Sequence, residues 1–529
     1  MRPAFTFTEI REAEKSIIEK EGIPSLILME NAGKNAFDVI TSLYPDIAER
    51  TIVIVCGKGN NAGDGFVIAR HFLINDFPVE IYNLSQPGEL KGDALINFEI
   101  LGKLNSDLCS IVFLHESKPD LFYKRIDKIN GKALVIDAML GSGIIGAVKG
   151  IYKIVIEQIN LLKRENLNID VVSVDVPSGL GEGNMNGEIV DACFTVTMGA
   201  MKTELLYGYG KEKSGEVIGV NIGIPTDKLD DYNFSRRYIY DKEDISNIFP
   251  VRKKSSYKYT NGKVFIIGGS KGLSGAVIMS CEAALRSGSG AVMAAFPSSL
   301  GNHFSKKLAE VIKMELPETS EGTISGDAFG SIERMLKKAD AILIGPGLSL
   351  NPETAKFLFD FVVNSAKPMV IDADALTLAA RNIEIFKQRK YDSEIILTPH
   401  VGEFCRLSGL ELREVLNNRF ESVRKFSAVN NVNVILKSET SFCSDIEGNI
   451  FINSSGNESL GIAGSGDVLS GMIVSLLAQS GKVSTAMICG NYIHGMLADI
   501  YYDKYGNKQS ASQQDLIKLI PAAITEILG

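Results

Sequence analysis

The sequence predicts an α/β protein with two three-layer α/β/α domains. Short runs of apolar, β-branched residues recur along the chain, and longer amphipathic stretches separate them. These runs are continuous rather than alternating, which is typical of parallel strands buried on both faces, with helices as the outer layers. The clearest runs are residues 51–56, 133–136, 171–174, 263–267, 341–344, 369–371 and 395–397.

The domain boundary is predicted near residue 240. The stretch 241–262 is polar, with Pro250 and a basic run at residues 252–254, and residues 232–240 have no clear periodicity. We therefore expect an N-terminal domain over residues 1–240 and a C-terminal domain over residues 241–529. The two halves do not repeat each other's glycine motifs, which argues against an internal duplication.

Composition and charge exclude several classes of protein. The formal net charge is -9, so no general attraction to nucleic acid or to anionic membranes is expected. The seven cysteines are scattered without a CxxC pair, which favours a reducing cytosolic compartment. The N-terminus lacks a secretory pattern, and no uninterrupted apolar run of about 18 residues exists. We expect a cytoplasmic protein that binds neither nucleic acid nor membranes.

A glycine-rich segment at residues 57–65, GKGNNAGDG, follows the first clear strand and precedes the helical pattern 66–72. Its glycines allow a sharp turn that presents backbone N–H groups to an anion at a helix N-terminus. Its spacing fits neither the dinucleotide motif GxGxxG nor a Walker A loop. Taken alone, the segment is explained equally well as a plain turn between strand and helix.

Two further strands of the first half end in polar loops. Asp137 follows the strand 133–136 and leads into the glycine-rich residues 141–146, while Asp175 follows the strand 171–174 and leads into Pro177-Ser178-Gly179. Open α/β sheets bind ligands at the carboxyl ends of their strands. The carboxylate, amide and hydroxyl oxygens there can coordinate a hard cation, or one carboxylate can transfer a proton.

These segments, with KGDA at residues 91–94, resemble the YjeF N-terminal family of NAD(P)HX epimerases over roughly residues 5–235. NAD(P)HX denotes hydrated NADH or NADPH. The resemblance implies a Rossmann-like fold and a potassium ion held by Asn61, Asp137 and Ser178, with Asp175 as a catalytic residue on the reacting nucleotide. Ala62 stands where the family usually has glycine. The implied substrate contacts are Asn60, Asn61, Ala62, Gly63, Asp64, Gly141, Ser142, Gly143, Ile144, Ile145, Gly146 and Ala147.

In the second half, the segment GIAGSGD at residues 461–467 precedes the helical pattern 468–477. Backbone N–H groups at such a helix start can hold a phosphate, and Asp467 can accept a proton from a substrate hydroxyl. A plain capped helix, with Ser465 as a cap-region residue, is the simpler alternative. Lys437 closes the strand 432–436, where its ammonium can meet nucleotide phosphates. His400 fits a structural role as well as a ligand contact.

The second half resembles the ribokinase-like superfamily, and within it the NAD(P)HX dehydratases, over roughly residues 245–525. The motifs that carry the resemblance are IGGSKGLSGA, GPGLS, IDADAL, LTPHVGEF and GSGDVLSG. It implies hydrated nicotinamide at Ala276, Gly347, His400 and Asp467, with Asp467 as the acid/base. It also implies ADP, accompanied by Mg²⁺, at Lys437, Ser438, Glu439, Thr440, Ser441 and Gly466. Ser438, Glu458, Ile462 and Ser465 depart from the usual family residues.

The two resemblances imply one enzyme for two consecutive steps on hydrated nicotinamide nucleotides. The first half interconverts the R and S epimers of NADHX and NADPHX, and the second dehydrates the S form with ADP as co-substrate. Nothing in the residues themselves excludes ATP. Two alternatives stay open, a small-molecule kinase of vitamin-precursor type and a first half that acts only as a binding module. We also expect a homo-oligomer.

Overall fold

The computed structural model describes residues 1–104, 106–129, 131–181 and 187–529. These residues form two compact units, Arg2–Ser235 and Arg236–Gly529. Each unit is built around its own mainly parallel sheet, with helices on both faces. The predicted α/β class is therefore confirmed.

The N-terminal unit alternates strands with helices. Its strands are β1 (Arg2–Phe5), β2 (Arg50–Cys56), β3 (Val79–Asn83), β4 (Cys109–Phe113), β5 (Lys132–Ala138), β6 (Ile169–Val174), β7 (Phe194–Met198), β8 (Met201–Lys202) and β9 (Glu216–Val220). Its helices are α1 (Phe7–Glu21), α2 (Ser25–Leu43), α3 (Asn60–Ile74), α4 (Gly92–Leu104), α5 (Leu121–Ile126), α6 (Gly150–Glu165), α7 (Gly208–Ser214) and α8 (Thr226–Asp230).

Seven of these strands form a parallel sheet in the order β4-β3-β2-β5-β6-β7-β9. Successive residues of β2 enter different cores: Ile52 and Ile54 pack with helices α1 to α3, and Val53 and Val55 pack with α5 and α6. The continuous apolar run of this strand thus reflects burial on both faces. The carboxyl ends of β2, β5 and β6 lie at the same edge of the sheet.

The C-terminal unit has a longer sheet. Its strands are β10 (Arg237–Tyr240), β11 (Lys263–Ile267), β12 (Ala291–Pro297), β13 (Ile312–Leu316), β14 (Ala341–Ile344), β15 (Met369–Ile371), β16 (Ile395–Leu397), β17 (Asn433–Leu436), β18 (Phe442–Ser444) and β19 (Ile450–Asn453). Its helices are α9 (Lys242–Ile248), α10 (Ser274–Arg286), α11 (Gly301–Lys307), α12 (Phe329–Leu336), α13 (Pro352–Asn364), α14 (Asp374–Ala379), α15 (Val401–Ser408), α16 (Leu412–Asn417), α17 (Arg419–Asn430), α18 (Ser465–Ser480), α19 (Val483–Tyr505) and α20 (Gln513–Leu528).

These ten strands run in the order β13-β12-β11-β14-β15-β16-β17-β18-β19-β10. Val264 and Ile266 of β11 face the core formed with α10, α18, α19 and α20, and the intervening Phe265 is also fully buried. The pairs β17–β18 and β18–β19 are antiparallel, unlike the parallel pairing expected from the apolar runs. Only residues 437–441 connect β17 to β18, which is too short for a parallel crossover.

Local structure differs from the sequence expectation in three places. Helix α3 begins at Asn60 rather than at residue 66, so most of the glycine-rich segment is helical. Asp137 is the sixth residue of β5 instead of following the strand. The predicted polar boundary contains helix α9. Asp241 caps the N-terminus of this helix by accepting hydrogen bonds from the amides of Glu243 and Asp244. Local capping thus makes a helix where apolar periodicity is weak.

Candidate active sites

A cavity of about 540 Å³ lies at the carboxyl end of the N-terminal sheet. Helices α1 and α2, the start of α3 and the loops after β5 and β6 form its walls. The predicted site residues that line it are Asn60, Asn61, Asp64, Gly141, Ser142, Gly143, Ile144 and Asp175. The structure therefore brings together residues from all three polar loops of the first half.

Other predicted contacts lie around the cavity rather than on its wall. Ala62 and Gly63 are buried on α3, and a Cβ at Gly63 would lie 2.5 Å from the Met29 sulfur. Ile145 is 81% exposed, and neither it nor Gly146 and Ala147 lines the cavity. Ala62, which replaces the usual glycine, is accommodated in the apolar core.

An oxygen-rich cluster lies beside the cavity. Ser178 donates hydrogen bonds to Asp137 from its backbone N (2.8 Å) and its Oγ (2.5 Å). The Asn61 amide nitrogen donates to the Leu140 carbonyl at 3.0 Å, and the Leu140 amide donates to Ser178 Oγ at 2.9 Å. Asn61 and Ser178 thus both form hydrogen bonds with the backbone of Leu140, and Ser178 also bonds to Asp137.

Two features of this cluster fit a bound cation. The Asn61 Oδ1 atom is buried and has no hydrogen-bond partner among the described residues. Burial raises the pKa of Asp137, and hydrogen bonds from Ser178, Ser173 and Met139 offset only part of that rise. A buried amide oxygen without a donor is costly, and a cation would satisfy it while favouring the ionised form of Asp137. Oxygen ligands of this kind suit a hard cation.

The Asp175 side chain is held by a buried lysine. Its Oδ1 lies 2.7 Å from the Lys202 ammonium, which is 2% exposed and also donates to the Met198 carbonyl at 2.7 Å. Asp175 has φ +67°, a left-handed conformation that is unfavourable for a residue with a Cβ. The loop after β6 therefore presents this carboxylate in a strained conformation, which is common at functional sites.

The cavity residues that the sequence analysis does not identify include Glu14 on α1 and Lys202 on β8. Burial raises the pKa of Glu14 to about 7, against the opposing charge of Lys202 and with a smaller contribution from Asp175. Lys202 follows β7 closely, so the rule that strand ends carry site residues would have found it. Glu14 has no such signal, because it lies inside an ordinary amphipathic helix.

In the C-terminal unit, the predicted glycine-rich segment forms the start of helix α18. Gly464 precedes the helix at φ +92°, and Asp467 lies in the first turn. Ser465 Oγ donates to the Leu460 carbonyl at 2.8 Å, which fixes the turn rather than capping the helix. The amides of Ser465, Asp467 and Val468 bond to carbonyls of that turn, whereas the Gly466 amide has no such bond among the described residues. The helix start is thus open to an anion.

Asp467 has the electrostatic character of a proton-transfer group. Burial raises its pKa to about 7, the neighbouring Asp372 and Asp374 add to that rise, and Lys437 opposes it. A carboxyl group with a pKa near neutrality can accept and return a proton under physiological conditions. The predicted role of Asp467 is therefore chemically possible in this geometry.

Lys437 connects the strand ends to the helix start. Its ammonium lies 3.1 Å from the carboxylate of Asp372, which is 1% exposed. A Cβ added at Gly466 would lie 3.1 Å from the same ammonium. Burial alone would lower the pKa of Lys437, but the carboxylates of Asp372, Glu403 and Asp467 outweigh it and keep the group charged. A cation thus lies beside Gly466, in the first turn of α18.

The predicted nicotinamide contacts approach the same place from other elements. Ser280 Oγ donates to the carbonyls of Ala276 (3.1 Å) and Asp467 (3.0 Å), so the starts of α10 and α18 are adjacent. At Gly347, which has φ +60°, a Cβ would lie 2.3 Å from the carbonyl of Leu273, just before α10. The start of α10, which contains Ala276, therefore lies beside Gly347, and Ser280 of the same helix contacts the Asp467 backbone.

His400 has a structural contact of its own. It caps α15 by accepting hydrogen bonds at Nδ1 from the amides of Gly402 (3.0 Å) and Glu403 (3.3 Å). Its ring is also more than half exposed, and its backbone pairs with Lys437. The capping role fits the structural alternative, and the exposed ring next to Lys437 leaves a ligand contact possible.

The predicted nucleotide-binding residues after Lys437 form the connection between β17 and β18. Ser438 Oγ donates to the Thr440 carbonyl at 2.7 Å, and Glu439 pairs with Arg419 at 3.0 Å. Thr440 is buried, whereas Ser441 is half-buried. Glu458, the other departure from the family pattern, is exposed and pairs with Lys508 at 2.7 Å. These bonds give the connection a defined shape beside the helix start.

Two general properties concern metals and membranes. Among the described residues, no group of three or more His, Cys, Asp or Glu side chains is arranged to hold a metal ion. Across the described ranges, no helix combines the length and apolarity that a membrane crossing requires.

Comparison with known proteins identifies the family. Residues 25–204 match the family described as YjeF-related protein N-terminus, and residues 264–522 match the one described as NAD(P)H-hydrate dehydratase. The chain is 34% identical to the bifunctional NAD(P)H-hydrate repair enzyme Nnr of Moorella thermoacetica, over 99% of this chain and 96% of that protein. It is 31% identical to the enzyme of the same name from Salinibacter ruber, over 100% of this chain and 97% of that protein. Both resemblances drawn from the motifs are confirmed, and the chain belongs to the family of bifunctional NAD(P)H-hydrate repair enzymes.

Proposed function

We propose that residues 1–240 epimerise hydrated NADH and NADPH and that residues 241–529 dehydrate the S epimer with ADP as co-substrate. Hydration of the nicotinamide ring removes its ability to donate hydride and produces two epimers at the carbon that bears the hydroxyl. An epimerase that feeds a dehydratase allows both epimers to be recovered. The presence of two carboxyl groups with a pKa near 7, Glu14 and Asp467, one in each unit, supports two separate proton-transfer sites.

In the epimerase unit, we assign a potassium ion to Asn61, Asp137 and Ser178, and the substrate to Asn60–Asp64 and residues 141–147. The unpartnered Asn61 Oδ1 supports the ion site. When bound, the ion supplies positive charge beside the cavity. Asp175 faces the cavity with its charge balanced by Lys202, which suits a residue that orients the reacting nucleotide.

In the dehydratase unit, we assign Asp467 as the acid/base and Ala276, Gly347 and His400 as contacts of the hydrated ring. The observation that carries this assignment is the raised pKa of Asp467 at a helix start that also faces Lys437. Lys437, Gly466 and the connection 438–441 then hold the nucleotide phosphates. A phosphate on the hydroxyl oxygen makes it a better leaving group.

Magnesium fits this site only together with the nucleotide. Asp372 is paired with Lys437, and Asp374 accepts a hydrogen bond from the Ser349 amide at 2.8 Å, so the described carboxylates form no complete ligand set. Mg²⁺ is commonly bound by one or two carboxylates and substrate phosphates. The ion would reduce charge repulsion around the phosphates.

The first experiment is the recovery of reduced-nicotinamide absorbance from mixed NADHX epimers in potassium buffer. With ADP, we expect recovery to approach completion, because epimerisation converts the R form into the form that is dehydrated. Without nucleotide, no recovery is expected, and an ATP sample decides which nucleotide is used. Failure with both nucleotides would favour the kinase alternative, which phosphorylation of vitamin-precursor alcohols would then test.

The potassium site predicts a cation-dependent epimerase. In an Asn61→Ala variant, half-maximal epimerisation should require at least about 10-fold more KCl, because a ligand oxygen is lost. KCl should also stabilise the wild type against heat more than NaCl does, and the variant should lose this difference. The matched control is Asn168→Ala, which removes an exposed amide far along the chain. Equal KCl dependence in both variants would rule out Asn61 as a ligand.

Two wider properties remain proposals. We propose that the protein works in the cytoplasm, which its seven free cysteines support, all of them among the described residues. A homo-oligomer also remains a prediction, and sedimentation velocity measures it directly.

A further inference from the structure

Several charged side chains line the epimerase cavity, among them the cationic Arg11 and Lys58 and the carboxyl group of Asp93. Glu14, Asp64 and Asp175 come from α1, α3 and the loop after β6, and all three line the cavity together with the ammonium of Lys202. These three carboxyl groups interact electrostatically with one another and with Lys202, so the charge of each affects the others.

Asp175 forms an ion pair with the Lys202 ammonium. Its Oδ1 lies 2.7 Å from Lys202, and the Met198 amide also points to that oxygen at 3.4 Å. These contacts hold the Asp175 carboxylate in a fixed position, which suits a role in binding the substrate.

Asp64 is buried on α3. Burial raises its pKa well above the usual range, the charges of Asp175 and Glu14 add to that rise, and Lys202 offsets only part of it. Burial therefore favours the protonated form of Asp64, which donates a hydrogen bond instead of accepting a proton.

Glu14 is the third of these carboxyl groups. It lines the cavity from α1, and its Oε1 lies 3.2 Å from the position of a Cβ added at Gly199, beside the end of β7. The charged or titratable groups that act on it are Lys202, Asp175 and Asp64. Because burial and these charges bring its pKa to about 7, Glu14 changes protonation near neutrality.

We propose that Glu14 is the group that accepts and returns the proton during epimerisation, an inference that rests on the proposed epimerase function. The hydroxyl-bearing carbon of the hydrated ring is bonded to the ring nitrogen and is thus a hemiaminal. Glu14 takes the hydroxyl proton while the carbon–nitrogen bond breaks. The electron pair of that bond moves to nitrogen, and an aldehyde forms. After rotation, nitrogen attacks the other face of the carbonyl, and Glu14 returns the proton to oxygen.

The test follows R-to-S interconversion by chromatography with the full-length protein, pure NADHX epimers, KCl and no nucleotide. Glu14→Gln keeps the shape but cannot accept a proton, and its epimerisation kcat should fall at least about 100-fold. Glu14→Asp keeps the carboxyl group and should recover at least about a tenth of the wild-type kcat. In the wild type, kcat should rise with pH through about 7 and then level off, because the ionised carboxylate is the base. In Glu14→Gln that rise should disappear.

The controls separate this inference from the proposed function and from folding. Glu12→Gln removes an exposed carboxyl group from the same helix and should leave epimerisation unchanged. Dehydration of the S epimer with ADP should stay within about two-fold in Glu14→Gln, and its thermal unfolding should match that of Glu14→Asp. If wild-type protein does not interconvert the epimers, the proposed epimerase function fails. If it does and Glu14→Gln retains its rate or its pH profile, Glu14 is not the proton-transfer group.

Discussion

Replacing Asp467 by asparagine is expected to slow dehydration of the S epimer by about 100-fold or more while ADP still binds. Asparagine has nearly the same shape but cannot accept the hydroxyl proton. The pKa of Asp467 is raised to about 7, so its carboxyl group changes protonation in the pH range in which the enzyme works. Because the ionised form is the base, wild-type kcat should fall as the pH drops below about 7, and the variant should lack this dependence.

The measurement is absorbance recovery from pure (S)-NADHX across a pH series, with ADP binding followed by calorimetry. Asp503→Asn, an exposed acid near the end of α19, is the matched control and should behave as wild type. Full dehydration by the Asp467→Asn variant would remove Asp467 from the chemistry. Loss of ADP binding as well would assign it to nucleotide binding instead.

Replacing Lys437 by methionine should lower the free energy of unfolding of the C-terminal unit by about 3–5 kcal/mol and abolish ADP binding. The buried Asp372 loses the ammonium 3.1 Å away and becomes an uncompensated charge. The double variant Lys437→Met/Asp372→Asn removes both charges, so most of the stability should return. ADP binding should not return, because the phosphates still lack their cation.

Chemical denaturation and ADP titration calorimetry separate the two roles of Lys437. Lys425→Met, which removes an exposed lysine from α17, should change neither quantity. Unchanged stability in Lys437→Met would show that the ion pair does not hold the site together. Recovery of ADP binding by the double variant would exclude a phosphate contact for Lys437.

The sequence predicted best what a single strand determines, which is where the strand begins and ends and at which edge of the sheet its following loop lies. The ranges 263–267, 341–344, 369–371 and 395–397 coincide with β11, β14, β15 and β16, because buried parallel strands are continuous apolar runs. The same reasoning brought the loops after β2, β5 and β6 to one cavity, since parallel strands end at a common edge.

What the sequence did not reveal depends on contacts between distant segments. Glu14 reaches the cavity only because α1 packs there, and no spacing in its own helix indicates that. Lys437 was recognised as a strand-end residue, but its ion pair with Asp372 follows from the order of β15, β16 and β17 in the sheet. Pairing of this kind is a tertiary property that periodicity does not encode.

The left-handed conformation of Asp175 has a consequence for protein engineering. A non-glycine residue at φ +67° costs on the order of 1–3 kcal/mol, and glycine would adopt this conformation without that cost. A thermostabilisation campaign that scores backbone strain would therefore select Asp175→Gly among its first substitutions. That choice would leave the Lys202 ammonium in the cavity without its carboxylate. Position 175 should be kept fixed in any redesign intended for cofactor-recycling reactors.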